Sequence, residues 1–127
     1  MKIKFYIIAL LILATLTSCV QEVHLKTVTF KVNMINTEQP INVGVKGDFT
    51  ENRWNETIPL TDENNDGIYE VTVSQKTAIN QIQFKFVNNE EYELKEADNR
   101  VLEFEYKPET IIYETTFNNP ESKITKE

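Results

Sequence analysis

The 127 residues contain one cysteine, one histidine, one tryptophan and three glycines. Each scarcity closes off a class of function. A lone cysteine, Cys19, has no second thiol to pair with, so no internal disulfide framework holds the domain. His24 is the only histidine and lies ahead of the first regular pattern, where solvation is its ordinary role. Ser-His-Asp and Cys-His arrangements are therefore excluded. Three glycines provide no phosphate-cradling loop. Basic residues are outnumbered, 13 Lys and Arg against 20 Asp and Glu, for a net charge of −7. Such a surface repels phosphate backbones and anionic headgroups, which argues against nucleic acid as a partner. Beyond the N-terminal segment no stretch keeps a 3.6-residue apolar period, so amphipathic helices are not expected.

The chain begins with a basic Met1-Lys2-Ile3-Lys4, then an apolar run from Phe5 to Leu16 that is short for a bilayer span. The run ends in Leu16-Thr17-Ser18-Cys19. This resembles a bacterial lipobox, in which the cysteine is lipidated and becomes the first residue of the mature chain. The alternative is an ordinary secretory signal with an incidental cysteine. The expected organisation is a signal peptide over 1–18, a lipidated tether over 19–26, a folded unit over 27–117 and a flexible tail over 118–127. Cleavage removes Lys2 and Lys4 and takes the net charge from −7 to −9. Attachment to the membrane would then rest on the acyl chains and not on charge.

From Thr27 onward the dominant period is two. Val28, Phe30, Val32 and Met34 alternate with polar residues, as do Ile41, Val43 and Val45. Ile58 and Leu60 mark a brief strand, joined through Asp62–Gly67 to Tyr69, Val71 and Val73 as a hairpin. Further strands are expected over Gln81–Val87, around Leu102, Phe104 and Tyr106, and around Ile111, Tyr113 and Phe117. Pro108 interrupts the last two because it cannot donate to a ladder. Seven or eight short strands separated by turn residues predict an all-β chain folded as an antiparallel β-sandwich.

Several clusters carry chemistry. Asp62-x-Asn64-x-Asp66-Gly67 has the alternating oxygen ligands of a calcium loop, but position twelve is Val73 where a bidentate Glu is needed. The flanks are strands, and Asp-Gly is also a strong hairpin signal, so a turn is the favoured reading and calcium the alternative. Glu90, Glu91, Glu93 and Glu96 offer carboxylate pairs of the kind glycosidases use, yet a small sandwich has little room for a cleft. They read as a solvated acidic rim. Trp54 sits in a polar loop, Thr50 to Glu56, not in an apolar run. An exposed indole can stack on the C–H face of a pyranose; the alternative is a Trp folded back to plug the sandwich edge.

Taken in order, Val45-Lys46-Gly47-Asp48-Phe49, Trp54, Asp66-Gly67-Ile68-Tyr69-Glu70-Val71, Phe84-Lys85-Phe86-Val87, Tyr92-Glu93 and Asn99-Arg100 resemble the starch-binding domains of carbohydrate-binding module family 20 and their glycogen-binding relatives. The resemblance spans roughly Thr27 to Phe117. It implies an immunoglobulin-like β-sandwich that binds α-1,4-glucan through two Trp, a Lys and an Asn. Trp54 matches the first Trp, Lys85 the Lys, Asn99 the Asn, and Glu93 the Glu that follows the second Trp. Tyr92 stands where that second Trp would be, which keeps a π face but reduces its area.

The implied function is non-catalytic binding of an α-glucan or maltooligosaccharide at the bacterial cell envelope. The chain would be anchored by lipid at Cys19 in the outer membrane, beside partner proteins of a glycan-uptake system. No cofactor is implied. The rival reading is a structural or protein-interaction sandwich whose sugar site has degenerated, since fold does not fix function.

Overall fold

The computed structural model describes residues 21–127. Cys19, the expected lipidation site, and the whole signal segment lie outside the described residues. Within them the protein is all-β, two sheets packed face to face as an immunoglobulin-like sandwich. The strands are β1 (His24–Asn33), β2 (Gly44–Gly47), β3 (Ile58–Pro59), β4 (Ile68–Thr77), β5 (Gln81–Asn88), β6 (Glu91–Tyr92), β7 (Arg100–Glu103), β8 (Glu109–Thr116) and β9 (Ser122–Lys126), with one 3-10 turn at Arg53–Asn55. The four-stranded sheet has the order β4-β1-β8-β9. The five-stranded sheet runs β3-β2-β5, and both β6 and β7 pair with β5 along its far edge.

Alternation builds the core. Along β1, Val28, Phe30 and Val32 point inward while Thr27, Thr29 and Lys31 lie on the outer face. Phe84 and Phe86 of β5 meet them from the opposite sheet. The rings lock edge to face: Phe30 and Phe84 have centroids 5.0 Å apart at 77°, and Phe84 and Tyr113 4.9 Å apart at 79°. That geometry places the positive edge of one ring on the negative face of the next. Gly47 is required by space. A Cβ there would sit 2.5 Å from the Gln83 carbonyl oxygen and 2.7 Å from the Phe49 ring. Its absence lets Phe49 fold back onto Phe30, the rings stacked at 5.4 Å.

The pairing departs from the expected one in four places. First, the Asp62–Gly67 turn joins strands of different sheets, because β3 pairs with β2 and β4 with β1. It is a corner between layers, tied by the single bridge Thr61–Glu70. Second, β1 and β8 are parallel, so the sandwich is not wholly antiparallel. Third, the expected tether is shorter, since β1 already begins at His24. Fourth, the expected flexible tail is mostly strand. Ser122–Lys126 pair antiparallel with β8, bringing Ile124 opposite Tyr113. The tail carries few apolar residues, but the free edge of β8 supplies ladder partners whatever the side chains.

At the end of the sandwich where β1 starts, a buried ion cluster replaces apolar packing. Lys26 occupies an inward position and donates to Glu105 O at 2.6 Å, to Lys107 O and to Glu109 Oε1 at 2.7 Å. Lys126 Nζ lies 3.1 Å from the second Glu109 oxygen. Burial by itself would raise the Glu109 pKa, but donation from Lys26 and the Glu105 N–H, with the Lys126 charge beside it, holds it below the ordinary 4.5. A carboxyl whose folded pKa is depressed contributes stability above its unfolded pKa, and that contribution is lost as the pH falls through the folded value. Glu109→Gln is therefore expected to lower the urea midpoint at neutral pH. The gap to wild type should narrow as the pH drops below 4.5. A pH-independent gap would mean that Glu109 acts through packing alone.

Candidate functional site

The site lies on the outer face of the five-stranded sheet, and three local structures shape it. The first is the Trp54 loop. Asp48 fastens its start to β5, donating its N–H to Gln83 O and accepting Gln83 N–H at 2.9 Å on its carboxylate. Arg53 then turns at φ 51°, with Thr50 Oγ1 donating to Arg53 O at 2.7 Å. The second is the β5–β6 hairpin. Asn89 and Glu90 both have positive φ, 51° and 66°. Two consecutive left-handed residues form the tight turn whose twist matches paired strands. It sets Tyr92 opposite Val87. The third is the 94–98 excursion between β6 and β7.

Trp54 and Tyr92 meet at the centre, with ring centroids 6.2 Å apart and planes at 62°. Around them Lys85, Glu90, Glu91, Lys95 and Asn99 line an open depression of about 510 Å³. Tyr92 OH reaches to 3.5 Å from Trp54 O. Trp54 is half-buried and is not part of the buried core. The structure thus brings Trp54, Tyr92, Lys85 and Asn99 together on one rim.

Two of the residues do something other than expected. Lys85 faces outward between Phe84 and Phe86 but is only 8 % exposed. Its Nζ donates to Leu94 O at 2.8 Å and Ala97 O at 2.9 Å. It therefore props up the 94–98 excursion from beneath, and two of its three donors are already used. Glu93 departs further. It was expected on the sugar and in a solvated rim, yet it is 0 % exposed. Glu93 N–H donates to Phe86 O, continuing the ladder one step past Tyr92. Successive strand residues point to opposite faces, so if Tyr92 faces out Glu93 must face in. Its carboxylate accepts Arg100 Nε at 2.7 Å, an Arg100 guanidinium nitrogen at 2.8 Å, Phe86 N–H at 2.8 Å and Asn118 N–H at 3.1 Å. It belongs to the core and is corrected to a structural residue.

Asn99 lies at the rim, its amide nitrogen donating to Gln83 Oε1 at 3.2 Å. Lys46 was not foreseen. Its Nζ sits 5.4 Å from the Tyr92 ring centroid, a cation–π contact that occupies one face of that ring. Lys46 and Lys85 are cross-strand partners in β2 and β5, a neighbourhood set by register and invisible in linear order. Lys95 at the rim was also unassigned.

The Asp62–Gly67 corner lies elsewhere. Asp62 accepts Asp66 N–H at 3.1 Å and Gly67 N–H at 2.9 Å, and Asn64 Oδ1 accepts Asp66 N–H at 3.3 Å. Donation from Ile68 N–H, chiefly, holds the Asp66 carboxyl below the ordinary carboxylate range. The oxygens that a calcium ion would require are turned onto the loop's own amides, which is turn-forming chemistry.

The chain matches no known protein family and no curated protein.

The buried position of Glu93 has a measurable consequence. Removing one partner of a buried pair strands the other charge, at a cost of about 3–5 kcal/mol. Glu93→Ala should therefore unfold at a much lower urea concentration than wild type. The double change Glu93→Leu with Arg100→Met should recover part of the loss. A Glu93→Ala variant that melts normally and has lost only ligand affinity would return Glu93 to the binding surface.

Proposed function

We propose that this protein is a non-catalytic carbohydrate-binding lipoprotein, and that the Trp54–Tyr92 rim holds an α-glucan. The observation that carries the reading is the pair of rings inclined at 62° and 6.2 Å apart. A flat polymer would be gripped best by coplanar platforms. Two inclined platforms suit a chain that curves from one ring to the next, as an α-linked glucan does. Apolar stacking on sugar C–H faces supplies affinity, and Asn99, Lys95, Glu90 and Glu91 supply donors and acceptors for hydroxyls. One Tyr92 face is occupied by Lys46, so the sugar takes the remaining face and the Trp54 indole.

Binding without turnover is the chemistry such a rim supports. Glu90 and Glu91 stand on an open surface, whereas glycosidic cleavage needs two carboxylates flanking a bond sheltered from bulk water. The rival reading, a protein-interaction sandwich with a degenerate sugar site, draws support from Lys85 and Glu93. Both carry out structural tasks in place of ligand contacts.

A short rim of this kind should bind with a Kd on the order of 10 μM to 1 mM. Truncating its central aromatic should cost about 2 kcal/mol, roughly thirtyfold in affinity. Affinity electrophoresis in amylopectin gels should retard wild type and not Trp54→Ala. A thermal melt of the variant should remain near wild type, since Trp54 lies outside the core. Absence of retardation of wild type on any α-glucan, or unchanged retardation of Trp54→Ala, would favour the interaction-domain reading.

A further inference from the structure

The two ends of the sandwich differ in what they can face. The end where β1 starts contains His24, the last β4 residue Thr77 opposite it, and Glu109, which is aligned with Lys26 at the start of β8. Ile82 and Phe104 of the other layer open onto the same end as Lys26 and Val73. The other end contains Asn33, Thr116 and Phe117, whose N–H donates to Asn33 O. Asn88, Tyr92 and Lys95 share a depression with Phe117 and Asn118, while Asn99 at the other side of the rim donates to Gln83, so the rim runs along the outer face of the five-stranded sheet from mid-strand towards that distal end. The ten residues of β1 separate the ends by roughly 30 Å at about 3.3 Å per residue.

We propose that the β1-start end rests on the lipid surface and that the Trp54–Tyr92 rim, on the side of the sandwich, is held clear of it. The proposal rests on the Cys19 anchor and not on the sugar reading. Glu22 N–H donates to the Tyr106 hydroxyl at 3.1 Å, which pins the incoming chain against the domain. Glu22 is only three chain steps from Cys19. Fully extended, three steps reach about 11 Å, while the headgroup layer alone is about 5–8 Å thick. A lipid on Cys19 therefore leaves the domain within a few ångströms of the headgroups.

The residues presented there suit that position. Val23, Leu25, Ile79 and Tyr106 are 54 %, 45 %, 44 % and 66 % exposed. Leu25 is paired with Lys76, Ile79 N–H donates to Thr77 Oγ1, and the Tyr106 ring lies 4.6 Å from His24. Tyr with exposed aliphatic neighbours is the composition of a membrane interface. Exposed Ile35 and Ile41 lie towards the distal end, so exposure alone does not choose between ends; the length of the chain to Cys19 does. Charge at the proximal end is mixed, with Glu22, Glu103, Glu105 and Glu127 among Lys76, Lys107 and Lys126, and Lys107 pairs with Glu105 at 3.2 Å. The surface therefore fits zwitterionic phospholipid.

Trp54 is the only tryptophan, which makes the orientation measurable. The full lipidated chain is placed in phosphatidylcholine vesicles with plain or brominated acyl chains, and co-flotation and Trp emission are recorded. Wild-type emission should be the same in both lipids. Two reporters in a Trp54→Phe background, Tyr106→Trp and Ile79→Trp, should each lose emission in the brominated lipid, since Trp at a membrane interface lies against the acyl-chain boundary. Cys19→Ala should no longer float with vesicles. If wild type fails to float, or Cys19→Ala floats as wild type does, the anchoring reading fails and the orientation with it. With anchoring intact, quenching of Trp54 as strong as that of the reporters overturns the proposal. So does a lack of quenching of both reporters. None of these results bears on retardation in amylopectin gels, so the sugar reading stands or falls separately.

Discussion

A carboxylate with no solvent contact holds the working edge of this sandwich together. Where β6 ends and β7 has not begun, the five-stranded sheet has a gap, and Glu93 fills it by accepting Phe86 N–H on its side chain. Arg100 clasps that carboxylate through two nitrogens and reaches on to Asn119 O at 2.6 Å. The pair therefore ties β5, β6 and β7 to the β8–β9 turn of the opposite layer. Burying two charges is expensive, and attraction offsets the cost only when every remaining donor and acceptor is used. Here the four donors around Glu93 meet that condition. The Arg100 guanidinium lies 5.7 Å from the Phe86 ring centroid, which adds a cation–π contact on its apolar side.

The binding rim depends on the same pair through the two-residue period of a strand. Tyr92 and Glu93 are consecutive, so fixing the carboxylate inward fixes the phenol outward. The same parity operates across β5, where Phe84 and Phe86 enter the core and Lys85 emerges between them to brace the 94–98 excursion. The excursion delivers Lys95 and Asn99 to the rim. One ion pair and one buried lysine thus set the geometry of a surface to which neither pair partner is exposed.

Polar interiors occur at both ends of the molecule. The Lys26–Glu109–Lys126 cluster occupies the end where the chain enters, and Glu93–Arg100 underlies the opposite half. Between them the Phe30, Phe84 and Tyr113 rings make a continuous apolar layer. A domain organised this way presents two distinct ends, with the aromatics on the sheet face between them.

Local pattern determined much of this. Val28-Phe30-Val32 and Ile82-Phe84-Phe86 announce half-buried strands, because period two is a property of the backbone itself. The polar loop around Trp54 accords with an indole that is half-buried and outside the core. Other features were decided only in three dimensions. The strand at Ser122–Lys126 forms because an edge of β8 offers hydrogen bonds that carry no sequence signature. The Asp62–Gly67 turn became a corner because β4 found β1 and not β3, a choice between partners distant in the chain. Lys46 reached Tyr92 through the register of β2, β5 and β6. Glu93 looked like its neighbours Glu90 and Glu91, since linear order cannot distinguish a carboxylate that meets water from one that meets an arginine seven residues away. Propensity and alternation act within a few residues and are legible in the sequence. Pairing, and the burial that follows from it, depend on which distant segment closes over each side chain, and only the tertiary structure decides that.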